Sequence, residues 1–254
     1  MSKKFKGKTC VYCMTPGAAA TGDHIIAREF FPKEKRDALP QVPACVACNN
    51  EKSKLEHYAT TVIPFGATHP QSGAVLSAMV PGRLANNQKL AKFLAENAIT
   101  RYVLRDGGLT WDTEMTLPFD GAKIAGLFQM IARGLAYIEW RVLLPDADCV
   151  VHADFLTAEG RAIFDRYFAG HGNKTGARDL GDGIFMYDGV QSLESPQLTL
   201  LRMSLCGANL GGDPKVPAER VSVAYALTAP RRMHAASKLV EFLRSQGAGP
   251  RAVP

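Results

Sequence analysis

The chain of 254 residues contains no apolar run approaching the ~20 residues that a bilayer-spanning helix needs, so a helical membrane protein is excluded. Its opening, MSKKFKGKTC, has lysines but no apolar segment behind them, and therefore does not read as a secretory signal. There is no internal repeat and no low-complexity tract. Cysteine is scarce, six residues in all, and without an export signal a disulfide framework is not expected. These absences leave a soluble, cytoplasmic protein with no membrane partner as the expectation. Hydrophobic content of 46% and charged content of 21% suit a globular chain, long enough for one large domain or two ordinary ones.

Charge is unevenly placed. The formal net charge is +6, and residues 1–56 hold ten Lys/Arg against six Asp/Glu. Most of the positive surplus thus lies at the end that also carries four of the six cysteines. A local basic surplus favours a polyanionic partner.

Those four cysteines form two CxxC pairs, Cys10/Cys13 in "CVYC" and Cys45/Cys48 in "CVAC". Each CxxC turn aims two sulfurs at one point, and two such turns close a tetrahedron suited to zinc with no open position. The spacing therefore predicts a structural zinc rather than a catalytic one. A redox role would need only one pair in a thioredoxin-like setting, which is absent. So short a region buries little core, and zinc would contribute directly to its folding. Cys149 and Cys206 sit in apolar surroundings and read as small core residues. The 31 residues between the pairs exceed the ~15–20 of a simple zinc ribbon, so something is fitted inside the clamp.

Within that insertion lies "TGDHII", and directly after the last clamp cysteine comes "NNEK". The order C-x2-C, D-H, C-x2-C-N-x2-K resembles the HNH endonucleases of the zinc-clamped ββα-metal type. The resemblance covers residues 8–58. It implies a treble-clef-like ββα-metal fold and assigns roles by position. His24 would be the general base that deprotonates the attacking water. Asp23 and Asn49 would hold a catalytic divalent cation, Mg²⁺ or Mn²⁺. Lys52, one turn beyond Asn49, would contact a substrate phosphate. The sequence departs from the family at Pro40, where an asparagine usually braces the loop behind the histidine; Gln41 or the stiff Pro40 ring is expected to take over that bracing.

The chemistry is coherent without the family name. Phosphodiester hydrolysis needs an activated water and a cation at the scissile phosphate. Imidazole is a suitable base near neutral pH, and a carboxylate with an amide oxygen suits a hard, hydrated cation. A helix opening at Asn49 would also present free N–H groups to an anionic backbone. One geometric demand follows: neighbouring strand residues point to opposite faces, so Asp23 and His24 share a site only where the strand bends or ends. The charged run 32–37 reads as a solvated loop, His57 as a solvated side chain, and His69, His152, His171 and His234 as structural.

The expected architecture is α+β. An HNH unit spans 1–60, a Pro/Gly-punctuated linker and connecting helix span 61–100, and a mixed α+β domain spans 101–254. In the last, residues 101–112 read as a hairpin turning at Asp106 and Gly107. Residues 121–144 read as the longest helix, with Ile124, Leu127, Phe128, Ile131, Leu135 and Ile138 on one stripe. A helix near 160–168, three strands and a closing helix near 235–245 complete it. The function expected is metal-dependent hydrolysis of nucleic acid, DNA foremost. The C-terminal domain would supply target choice, a protein partner or self-association. The rival is a zinc-stabilised nucleic-acid-binding module whose nuclease centre has decayed.

Overall fold

In a computed structural model the chain is described over residues 4–105, 108, 110–169, 173–208 and 223–233, together with 241 and 245. The N-terminal region folds as a short antiparallel hairpin of β1 (Thr21–His24) and β2 (Gln41–Ala44), followed by α1 (Val46–Val62). Register pairs Asp23 with Val42 and His24 with Gln41. Helix α1 begins three residues earlier than the sequence pattern suggested, because Cys45 is its N-cap: the Cys45 sulfur accepts the Cys48 amide.

The stretch expected as a linker is largely helical. After a 3-10 turn, α2 (Pro70–Asn86) and α3 (Gln88–Glu96) follow. His69 caps α2 by accepting the Gln71 amide, and Pro70 stands in the first turn, where its missing N–H is no loss. Pro81 lies inside α2 and removes one backbone bond. Tertiary contacts hold the helix through that point: Arg83 donates to the Thr60 carbonyl of α1, and Val80 is buried. Local breakers are overridden here by packing that short-range signals do not encode.

Strands β3 (Ile99–Arg105) and β4 (Thr110–Thr116) form the expected hairpin, whose turn residues Asp106 and Gly107 lie outside the described residues. Next comes α4 (Gly121–Trp140), capped by Asp120, which accepts the Lys123 amide. It ends four residues before the expected 144 because Arg141 turns left-handed, φ 59°, and returns its N–H to the last carbonyls. Arg133 then ties down the following turn by donating to the Leu144 carbonyl.

Five strands make one antiparallel sheet: β5 (Cys149–Phe155), β6 (Asn173–Leu180), β7 (Phe185–Ser192), β8 (Thr199–Leu205) and β9 (Val223–Pro230). Their order is β5-β9-β8-β7-β6. Helix α5 (Ala158–Ala169) packs through Phe164 edge-on to Tyr225, with ring centroids 4.9 Å apart. The closing helix near 235–245 falls almost wholly outside the described residues, as do His171 and His234.

Helix α4 unites the molecule. Its expected stripe is buried from Ile124 to Leu135 and half-buried at Ile138, Phe128 meeting Phe155 of the sheet at 5.8 Å. Toward the hairpin side, a Cβ on Gly134 would lie 2.7 Å from the Ile25 side chain. Only glycine permits that approach. One buried cluster accordingly runs from Cys10 and Val11 through Ile25 and Ile131 to Ala226. The ββα unit and the five-stranded sheet share a core, each buried aliphatic side chain contributing ~1.5–3 kcal/mol. Cys149 and Cys206 are buried, as expected of core residues. Among the described residues, no helix is long and apolar enough to cross a membrane.

Candidate active site and metal clamp

Cys10 and Cys13 come from the loop ahead of β1, and Cys45 and Cys48 from the start of α1. Folding the hairpin onto the helix brings the four sulfurs within 4.8 Å of one another. Zinc–sulfur bonds of ~2.3 Å in a tetrahedron set sulfur–sulfur edges of about 3.8 Å, and Cys13 and Cys45 sulfurs are 3.8 Å apart. The amides of Cys45 and Cys48 donate to the sulfurs of Cys10 and Cys45, at 3.3 and 3.4 Å. Burial raises the Cys10 thiol, whereas at Cys13 burial is outweighed by Thr15, whose hydroxyl and amide bring the thiol down to about 6. The cluster could hold a metal ion such as zinc. Two of the amides at the helix start, those of Cys45 and Cys48, therefore serve the clamp. This corrects the expectation that a helix opening at Asn49 turns them to a phosphate, since the Asn49 amide is bonded to the Cys45 carbonyl.

Behind the clamp lies a buried polar network. Tyr12, set between the first two cysteines, donates to Asp23 Oδ2 at 2.5 Å. The Lys52 ammonium is 3.1 Å from the same oxygen, 2.5 Å from Glu56 Oε1, and donates to the His24 carbonyl at 2.6 Å. Lys52 is 0% and Asp23 7% exposed. The role expected for Lys52, a phosphate contact, is thereby corrected: its charge is enclosed by Asp23 and Glu56 and cannot reach a ligand at the surface. Sequence spacing placed it on the same helix face as Asn49, and that face turns inward within the single turn from Asn49 to Lys52. Burial pushes Glu56 up to about 7 against the pull of Lys52, and it raises Tyr12 well above the usual phenol range, with the Asp23 charge adding to it.

Asp23 and His24 are the last two residues of β1, so the strand ends at the pair. Asp23 faces Tyr12 and α1; His24, the last strand residue, is half-buried. The His24 ring nitrogen Nε2 lies 2.8 Å from the Gln41 side-chain amide nitrogen. Burial first, then the Arg28 charge, lowers the His24 pKa below its usual 6.5, keeping the ring neutral at pH 7. Asn49 is half-exposed on the first turn of α1, and its side chain makes no hydrogen bond to a described residue.

The fit of a divalent cation rests on the remaining donors. Both internal bonds of Asp23 fall on Oδ2, leaving Oδ1 without a described partner. The Asn49 amide oxygen is likewise unused. Carboxylate plus amide oxygen is a hard donor set suited to Mg²⁺ or Mn²⁺ with retained waters. The nearby Lys52 ammonium already balances Asp23 and opposes a second positive charge.

Two contributors escaped the sequence pattern. Arg28 is exposed, has no described partner, and lies close enough to depress His24. It offers the cation at the surface that Lys52 does not. Tyr12 links clamp to network, and its place inside the first CxxC was the only available signal. His57 is exposed; His69 bonds the Asp182 carbonyl through Nε2 as well as capping α2, a structural role.

Compared with protein-family models, curated proteins and solved structures, the chain matches none.

Proposed function

We propose that the cysteine-clamped ββα unit is a metal-dependent endonuclease of the HNH type, hydrolysing nucleic-acid phosphodiester bonds, with DNA as the favoured substrate, and that its clamp holds a structural zinc. The observation that carries this reading is the placement of His24: a neutral, half-exposed imidazole at the end of β1, in a unit where four cysteines could hold a metal. Nε2 is the ring atom that takes the proton of the attacking water, once that water replaces the Gln41 amide as its donor. As placed, the Gln41 Nε2–H donates to that ring nitrogen, so the neutral ring carries its own proton on Nδ1. The water oxygen bonds to phosphorus as the bond from phosphorus to the leaving oxygen breaks. Asp23 Oδ1 and Asn49 would hold the cation. Bound there, Mg²⁺ or Mn²⁺ supplies neutralisation of charge on the phosphate and leaving oxygen. Arg28 orients the anionic backbone from the rim.

A specific observation favours a second reading. Lys52 neutralises Asp23 inside the protein, and Pro40 stands where the family has its bracing asparagine. Together they suit a zinc-stabilised nucleic-acid-binding module without cleavage. The two readings part in one assay: supercoiled plasmid incubated with zinc-loaded protein and Mg²⁺ or Mn²⁺. The nuclease reading expects nicking that EDTA abolishes. Salt-sensitive binding with no nicking at any cation concentration supports the second reading.

A further inference from the structure

The β3–β4 hairpin carries an apolar face that the nuclease reading does not use. Register sets Leu104 opposite Trp111, Tyr102 opposite Thr113 and Thr100 opposite Met115, and directly opposed residues share a face. There Tyr102 is 76% exposed, Trp111 70%, Met115 59% and Leu104 50%. A two-stranded ribbon by itself is marginal in water, and apolar patches beyond a few hundred Å² mark interaction sites. With aromatic side chains of ~150–250 Å² each, these four residues present roughly 500–600 Å² for burial.

The chemistry of the face selects its occupant. None of its six residues is Lys, Arg, Asp or Glu. It therefore lacks the cations that a phosphate backbone requires, and it meets no like-charge penalty when set against itself. A two-fold interface needs a self-complementary patch. We propose that this face is covered by the same face of a second copy of the chain, in a symmetric dimer with Trp111 and Tyr102 at its centre. Face-to-face burial would total about 1,000–1,200 Å², where specific interfaces begin. The proposal is independent of nuclease activity.

The test uses the full-length chain in sedimentation equilibrium across a concentration series, with Trp111 as the reporter. Trp140 is the second tryptophan, so Trp140→Phe leaves Trp111 as the sole tryptophan, excited selectively over the tyrosines. The expected result is a mass moving from 27.5 kDa to twice that value. Trp111 emission should shift to the blue, and acrylamide quenching should fall, at the same concentration midpoint. High salt should leave the midpoint nearly unchanged. Tyr102→Ser with Trp111→Ser should stay monomeric with an unaltered circular dichroism spectrum; should that variant misfold, the fluorescence series alone decides. A monomer at every concentration overturns the proposal. So does a dimer in which Trp111 stays fully quenchable, or a monomer in which Trp111 is already shielded, because the chain itself or another surface then provides the cover.

Discussion

Replacing Lys52 with methionine removes an ammonium while keeping most of the volume of its stem, and so isolates the charge. In the folded protein that charge lies 3.1 Å from Asp23 and 2.5 Å from Glu56, with Lys52 0% and Asp23 7% exposed. Solvent screening is small at such burial, and losing one member of a buried ion pair costs ~3–5 kcal/mol. For a chain of this size that corresponds to roughly 6–20 °C in melting temperature. The loss should depend on pH in a defined sense. Glu56 is already pushed up to about 7 in the wild type, above its ordinary 4.5. Its contribution is thus fully present below pH 4.5 and is lost as pH rises through about 7. Without Lys52 the Glu56 carboxylate binds its proton still more tightly in the folded state, so the penalty should be greater at pH 7.5 than at pH 5. Urea or thermal unfolding of zinc-loaded protein at the two pH values measures it. A loss under ~1 kcal/mol with no pH dependence, the behaviour of a solvated lysine, would refute the buried network.

Four further outcomes follow from the same geometry. Cys45→Ser should abolish binding of one zinc per chain by elemental analysis, and because the ββα unit shares its core with α4, the loss of structure should reach α4 and not stop at residue 60. Gly134→Ala places a Cβ 2.7 Å from Ile25 and should cost ~1–3 kcal/mol by overpacking, read from urea unfolding. Arg28→Ala should weaken nucleic-acid binding and reduce the salt dependence by about one phosphate contact; an unchanged slope assigns the electrostatics elsewhere. Glu56→Gln should flatten the fall in stability between pH 4.5 and 7, since it removes the carboxylate that titrates there.

What the sequence disclosed depended on how local each signal is. The doubled CxxC spacing sufficed for the four-sulfur cluster, and the stripe from Ile124 to Leu135 sufficed for α4, because each is written in short-range pattern. Helix α2 was illegible: Gly73, Pro81 and Gly82 argue against a helix one by one, and packing against α1 with the Arg83–Thr60 bond sustains it. Strand β6, "NKTGARDL", has no apolar alternation because its order derives from pairing along β7. At the site, the Asp-His dipeptide located the hairpin end. It could not reveal that Lys52 turns inward, since spacing along a helix fixes a face but not what that face meets. The close approach of Gly134 to Ile25, which joins the two halves into one core, has no counterpart in local sequence.

The central claim is that His24 is a general base, and single-turnover cleavage by wild type and His24→Ala, in parallel preparations of equal zinc content, tests it most directly. The account predicts a fall of ~10²–10⁴-fold with nucleic-acid affinity nearly unchanged. It also predicts that wild-type activity rises with pH through a pKa below 6.5 and is level by neutrality, because burial and Arg28 keep the ring neutral. Cleavage by His24→Ala at the wild-type rate, free of contaminating nuclease, would contradict it.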